Sequence, residues 1–115
     1  MIVVLDVFSG RPNPSWNLSV EQLIELLELF KNLPPADKLP PENGLGYRGL
    51  LLLNAGGAGG LPPHIRIYAG IVTMTNGHVQ SYRDIHNIEH RLLLQAAQQG
   101  YKDIVDYVLE EMPDP

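Results

Sequence analysis

Asn76-Gly77 lies between two stretches of alternating polarity, HIRIYAGIVTM (64–74) and HVQSYR (78–83). A two-residue hairpin turn needs positive φ at both central residues, and asparagine and glycine accept it most readily. The dipeptide therefore predicts two antiparallel strands, with Met74 opposite Val79 and Ile71 opposite Tyr82. Gly70 sits inside the first strand and marks a bulge or a close backbone approach. A chain with this hairpin builds a sheet, and its other elements must cover that sheet.

Two more stretches read as strands. IVVLDVF (2–8) is β-branched and apolar on both faces except at Asp6. GLLLLNA (49–55) is a short apolar run bounded by turn residues. Ser19 and Gln22 have capping-box spacing, which predicts a helix over 20–32. Its stripe is Val20, Leu23, Ile24, Leu27 and Phe30, widened by Leu26, Leu29 and Leu33. So broad an apolar sector implies a second contact beside the sheet. Asp84 caps a helix over 85–99, Gly100 ends it in a left-handed cap, and a last helix covers 101–112 before Pro113. The stretch 92–111 resembles the helix–turn–helix of one ankyrin repeat at Ala96, Ala97, Gly100, Ile104, Val105 and Leu109. The Thr-Pro-Leu-His turn of that repeat is missing and no second copy occurs, so the stretch is read as an antiparallel helix pair. The expectation is one α+β domain over 1–115, ordered β-α-β-β-β-α-α. Its four-stranded mixed or antiparallel sheet carries helices, with a C-terminal antiparallel helix pair.

A net charge of −5 argues against nucleic-acid and anionic-membrane partners, which need a basic footprint. Cysteine is absent, which rules out thiolate chemistry and fits a cytoplasmic protein. MIVVLDVFSG has no basic leader and reads as a strand, and no apolar window is long enough to span a membrane.

Three groups of residues invite chemistry. His86-Asn-Ile-Glu89-His90 matches the H-x-x-E-H pattern, in which two histidines one helical turn apart hold a divalent metal. His86 and His90 are the metal candidates, and no other cofactor is called for. At 100° per residue, Glu89 falls within the stripe of Ile85, Ile88, Leu92 and Ala96, so it faces inward. An inward carboxylate has a raised pKa and suits acid–base work. Asp6 also faces inward and needs a partner among Arg11, Arg48, Arg66 and Arg83. The glycine-rich NAGGAGG follows a strand as phosphate loops do, but LPPH stands where a helix would receive the phosphate.

FSGRPNPSW (8–16) is a corner stiffened by two prolines. A rigid corner presents side chains at low entropic cost. The leading expectation is a binding domain for a small molecule or peptide, in a cleft between loops 9–17, 34–47 and 55–63. Arg11 and Asn13 would meet polar groups of the ligand, Trp16 would stack and Tyr47 would close the rim. One alternative is a small enzyme using Glu89, His86 and Asp6. The other is a structural or subunit-contact domain, with a homodimer as one form that contact would take.

Overall fold

The structure is a computed structural model and describes residues 1–40 and 46–111. Residues 41–45 of the expected Pro-rich loop, and Met112 and Pro113 of the expected last helix and its stop, lie outside the described residues.

The sheet has six strands, not four, and every pairing is antiparallel. The strands are β1 (Ile2–Leu5), β2 (Ser15–Asn17), β3 (Leu50–Leu53), β4 (His64–Tyr68), β5 (Ile71–Thr75) and β6 (Val79–Arg83). Their spatial order is β2-β1-β3-β4-β5-β6. Both additional strands arise beside turn residues that conceal them. The end of the proline corner becomes the edge strand β2, paired through Val3 and Trp16. Pro14 stands just before it, a position where an edge strand needs no donor, and its carbonyl accepts from the Leu5 amide at 2.9 Å. The expected long strand 64–74 is two strands. Ala69 and Gly70 both have positive φ, +54° and +78°, and together form a tight two-residue hairpin turn.

The Asn76-Gly77 hairpin exists but is one residue longer than expected. Asn76 N–H donates to the His78 carbonyl at 3.1 Å, so three residues form the loop. Thr75 then pairs with Val79 and Val72 with Tyr82. That slip of one residue decides which side chains share a face.

Helix α1 (Val20–Phe30) starts from a complete capping box: the Ser19 hydroxyl accepts from Gln22 N–H at 3.1 Å, and Gln22 Oε1 accepts from Ser19 N–H at 2.9 Å. Its buried side is Leu26 and Phe30, with Leu33 beyond its end, while Val20 and Ile24 face solvent. The inward stripe is thus rotated from the expected one. Chain 34–36 then runs along the outer edge of β6, where Ala36 N–H donates to Ser81 O and Arg83 N–H to Pro34 O. An edge that would otherwise be open is closed in this way.

The expected C-terminal helix pair is one helical run of 24 residues. It consists of α2 (Ile88–Ala96), a turn (Ala97–Tyr101) and α3 (Lys102–Glu111), which follow one another directly and are kinked at Gly100. Gly100 does adopt the left-handed backbone expected of it, with φ +100°, and the run is kinked there. The glycine bends the run instead of ending it.

Strand alternation sorts the sheet into two unlike faces. Val3, Leu5, Leu50, Leu52, Ile65, Ile67 and Val72 are buried, together with Leu26 and Phe30 of α1 and Ile88, Leu92, Leu93, Val105 and Val108 of the C-terminal run. Helices therefore cover that face. Across the other face the register aligns Val4, Leu51, Arg66, Thr73 and Ser81, all half-buried. Beside that row run Ile2, Leu53, His64, Thr75 and Val79, all exposed except half-buried Leu53. No helix among the described residues covers them. Nor is any described helix long and apolar enough to cross a membrane.

Candidate functional site

Asp6 follows β1, and pleat alternation puts it on the helix-free face with Val4. Arg66 shares that face because it alternates with buried Ile65 and Ile67. Arg48 arrives on the chain entering β3, where its amide donates to the Asp6 carbonyl at 2.8 Å. The side chains converge. Arg48 Nη2 donates to Asp6 Oδ1 at 2.8 Å, and Arg66 Nη1 donates to Oδ2 at 2.8 Å. Arg48 Nη2 also reaches the Phe8 carbonyl at 3.1 Å, and Arg66 Nη1 the Arg48 carbonyl at 2.9 Å. Asn13 Nδ2 approaches Asp6 Oδ1 at 3.4 Å. Burial pushes the Asp6 carboxyl up, but the hydrogen bonds and charges of Arg66 and Arg48 outweigh it and hold it below its ordinary value.

One carboxylate here serves two guanidiniums. The carboxylate side chain is 14% exposed, whereas those of Arg48 and Arg66 are 33% and 36% exposed. Arg48 Nε is buried without an acceptor. Arg11 adds a third guanidinium at this end of the sheet, stacked 3.7 Å over the ring of Phe8, whose carbonyl Arg48 holds. The cluster carries excess positive charge on a chain whose net charge is −5. The sequence alone presents Arg48 and Arg66 only as counter-ions for Asp6. The alternation of Ile-Arg-Ile in β4 against Leu-Asp in β1 was the signal that they belong to one face.

The other expected ligand residues are employed inside the fold. Asn13 Oδ1 accepts from the Val7 and Phe8 amides at 3.0 and 2.7 Å, which shapes the corner. Trp16 is buried, donates from Nε1 to Gln95 Oε1 at 3.3 Å and leans on Tyr101. Tyr47 is buried and donates its hydroxyl to Glu89 Oε2 at 2.6 Å. Of the four, Arg11 alone is exposed. Among the described residues, two of the three loops expected to share a cleft lie apart. β1 and β3 are antiparallel with Leu5 opposite Leu50 and Ile2 opposite Leu53. The 9–17 corner therefore leaves one end of the sheet and the 54–63 loop the other. That glycine loop is folded on Asn54, whose Oδ1 accepts from Ala58 N–H and whose Nδ2 donates to the Ala58 and Leu61 carbonyls. Its Gly57, Gly60 and Leu61 amides are spent on internal carbonyls, so they do not cradle a phosphate.

Glu89 is 4% exposed. Its Oε1 accepts from the Gly70 amide at 3.1 Å, so the carboxylate binds the β4–β5 turn and Tyr47 at once. Burial raises its pKa despite those bonds. Tyr47 is pushed up by its own burial and by the Glu89 charge. Asp84 holds the first turn of α2 through the Ile88 and Glu89 amides at 2.7 and 2.9 Å. The three expected catalytic groups do not converge: Glu89 lies under the helices, Asp6 on the opposite face and His86 in solvent. The premise of the H-x-x-E-H pattern also fails. Helix α2 starts at Ile88, and Asn87 is left-handed at φ +53°, so His86 and His90 do not share a helix face. Among the described residues no group of three His, Asp or Glu is placed to hold a metal ion.

Comparison with family models, curated proteins and solved structures finds no match for this chain.

Proposed function

We propose that the chain is a small binding domain for a small molecule or peptide that carries an anionic group on an apolar body. The ligand lies on the helix-free face of the sheet. Its anion meets Arg48 and Arg66, and its body follows Val4, Leu51 and Leu53. Arg11 supplies a further cation at the rim. The observation that carries this reading is the sharing of Asp6 by two half-exposed arginines, each bonded through a single nitrogen. A guanidinium has five N–H donors, so each keeps donors for an oxyanion. The half-buried Val4, Leu51 and Leu53 beside the cluster support an apolar body. A cysteine-free chain under this reading fits a cytoplasmic setting.

The test is a titration of isotope-labelled protein with N-acetyl-leucine and with its neutral amide, followed by amide shifts. The carboxylate form should perturb residues 4–6, 48–51 and 66, and the amide form should not. Arg66→Gln should remove the response. Equal response to both forms, or none at this face, overturns the proposal.

A further inference from the structure

Helix α1 carries its own apolar anomaly, remote from the arginine cluster. Val20 and Ile24 are 74% and 58% exposed although they lie one turn apart on a fully capped helix. Leu27 continues their line, and the three occupy positions i, i+4 and i+7. Beside this line the 58–61 turn rises as a wall. Ile24, Leu27, Phe30, Gly59 and Leu61, together with the ion-paired Glu28 and Lys31, line a groove of about 280 Å³ between helix and turn. The groove needs its glycine: Gly59 has φ +63°, and a Cβ there would stand 2.6 Å from a Leu27 methyl.

The opposite rim is acidic. At 100° per residue Glu21, Glu25 and Glu28 fall together on the solvent side of the apolar line. Glu28 meets Lys31 at 2.8 Å and Glu25 meets Arg91 at 3.5 Å. Both pairs stand more than half in water, where an ion pair is weak and readily exchanged. The turn offers no backbone for strand addition, since its Gly60 and Leu61 amides are bonded to Gly57 and Ala58. An occupant must therefore use side chains, as a helix laid in a groove does. A second copy of this chain would bring the same glutamates against these, which is unfavourable.

From these observations we infer that the α1 groove docks an amphipathic helix of a partner protein, with an apolar stripe flanked by lysine or arginine. The partner's stripe fills the line Val20–Ile24–Leu27, and its cations take over Glu21, Glu25 and Glu28.

Two model peptides test this: a helical Leu/Lys amphipath and its Leu/Glu counterpart, each titrated into labelled protein. The Leu/Lys peptide should shift amides over 20–31 and 58–61 and bind at least about tenfold more tightly than Leu/Glu. Ile24→Asn, at a solvent-facing position that leaves the fold intact, should weaken it by about tenfold. The Glu21→Lys/Glu28→Lys variant should reverse the peptide preference. Equal binding of the two peptides, shifts centred on the arginine cluster, or indifference to Ile24→Asn would each overturn the inference. So would sedimentation of the wild type as a dimer that Ile24→Asn dissociates, because the groove would then be covered by a second copy.

Discussion

Two carboxylates, buried Glu89 and half-buried Asp6, drive the stability of this fold in opposite directions with pH. Glu89 has a raised pKa because burial outweighs its bonds from Tyr47 and from the Gly70 and Ala69 amides. The folded chain thus binds a proton there more readily than the unfolded chain, whose value is near 4.5. Stability from this group is greatest below that value and declines as pH rises through the raised one. Glu89→Gln keeps an acceptor for Gly70 and removes the charge. Urea midpoints measured upward from pH 4.5 should fall less steeply for the variant than for the wild type. Asp6 works the other way: its lowered pKa gives stability that is present above 3.8 and is lost as pH drops through the folded value. Asp6→Asn should cost about 1–3 kcal/mol at neutral pH, because Arg48 and Arg66 keep their charges and lose their partner. The acid-side loss should shrink with it. Asp6 was legible in the sequence as a buried charge that needs a cation. Which of four arginines answers depends on strand register. The hydroxyl that meets Glu89 comes from Tyr47, 42 residues away, and no local pattern announces it.

Among the elements, the hairpin turns separate what the chain advertises from what it hides. Ser19 and Gln22 form their capping box where the spacing put it, and β1 and β3 lie within the two apolar runs. The β4–β5 turn is hidden because Ala69 is a poor turn residue: at φ +54° its Cβ is strained. Glu89 offsets that strain by holding the turn through Gly70. Ala69→Asn should therefore stabilise the protein by about 0.5–1 kcal/mol in urea unfolding, since asparagine tolerates this region. Gly49 gives the opposite expectation. It has φ +99°, and a Cβ there would sit 2.4 Å from the Ile67 carbonyl oxygen. Gly49→Ala should cost more than about 2 kcal/mol by forcing β3 away from β4. Strand β2 was concealed for a different reason. Its three residues follow two prolines, and a single inward side chain, Trp16, gives no alternation to read. At the other end of the chain, Gly100 is left-handed as a helix-ending glycine would be, but it marks a kink within the C-terminal run.

Among the described residues the helices sit on one side of the sheet, and that asymmetry leaves its other face without a helix over it. It follows from the strand pattern. Where inward positions hold Val3, Leu5, Leu52, Ile65 and Ile67, their neighbours Val4, Asp6, Leu51, Arg66 and Thr73 must point away from the helices. The leucine run of β3 masked this, because four leucines in a row look buried on both faces. Substitution separates the two faces. Leu52, wholly buried, should cost about 2–5 kcal/mol on change to alanine, because a cavity opens under the helices. Leu51 is its neighbour on the opposite face, half-buried and opposite Arg66. Leu51→Thr should cost less than about 1 kcal/mol, since its methyl groups already touch water and threonine suits a strand. The contrast is measured by urea unfolding of the two variants at equal protein concentration. A Leu51 cost as large as that of Leu52, falling as the protein is diluted, would mean that another chain covers the face. In that case Arg48 and Arg66 would belong to a subunit contact and not to a ligand site. A small cost independent of concentration leaves the face open to ligand, and the same Leu51→Thr variant should then weaken N-acetyl-leucine without changing the shift at Arg66.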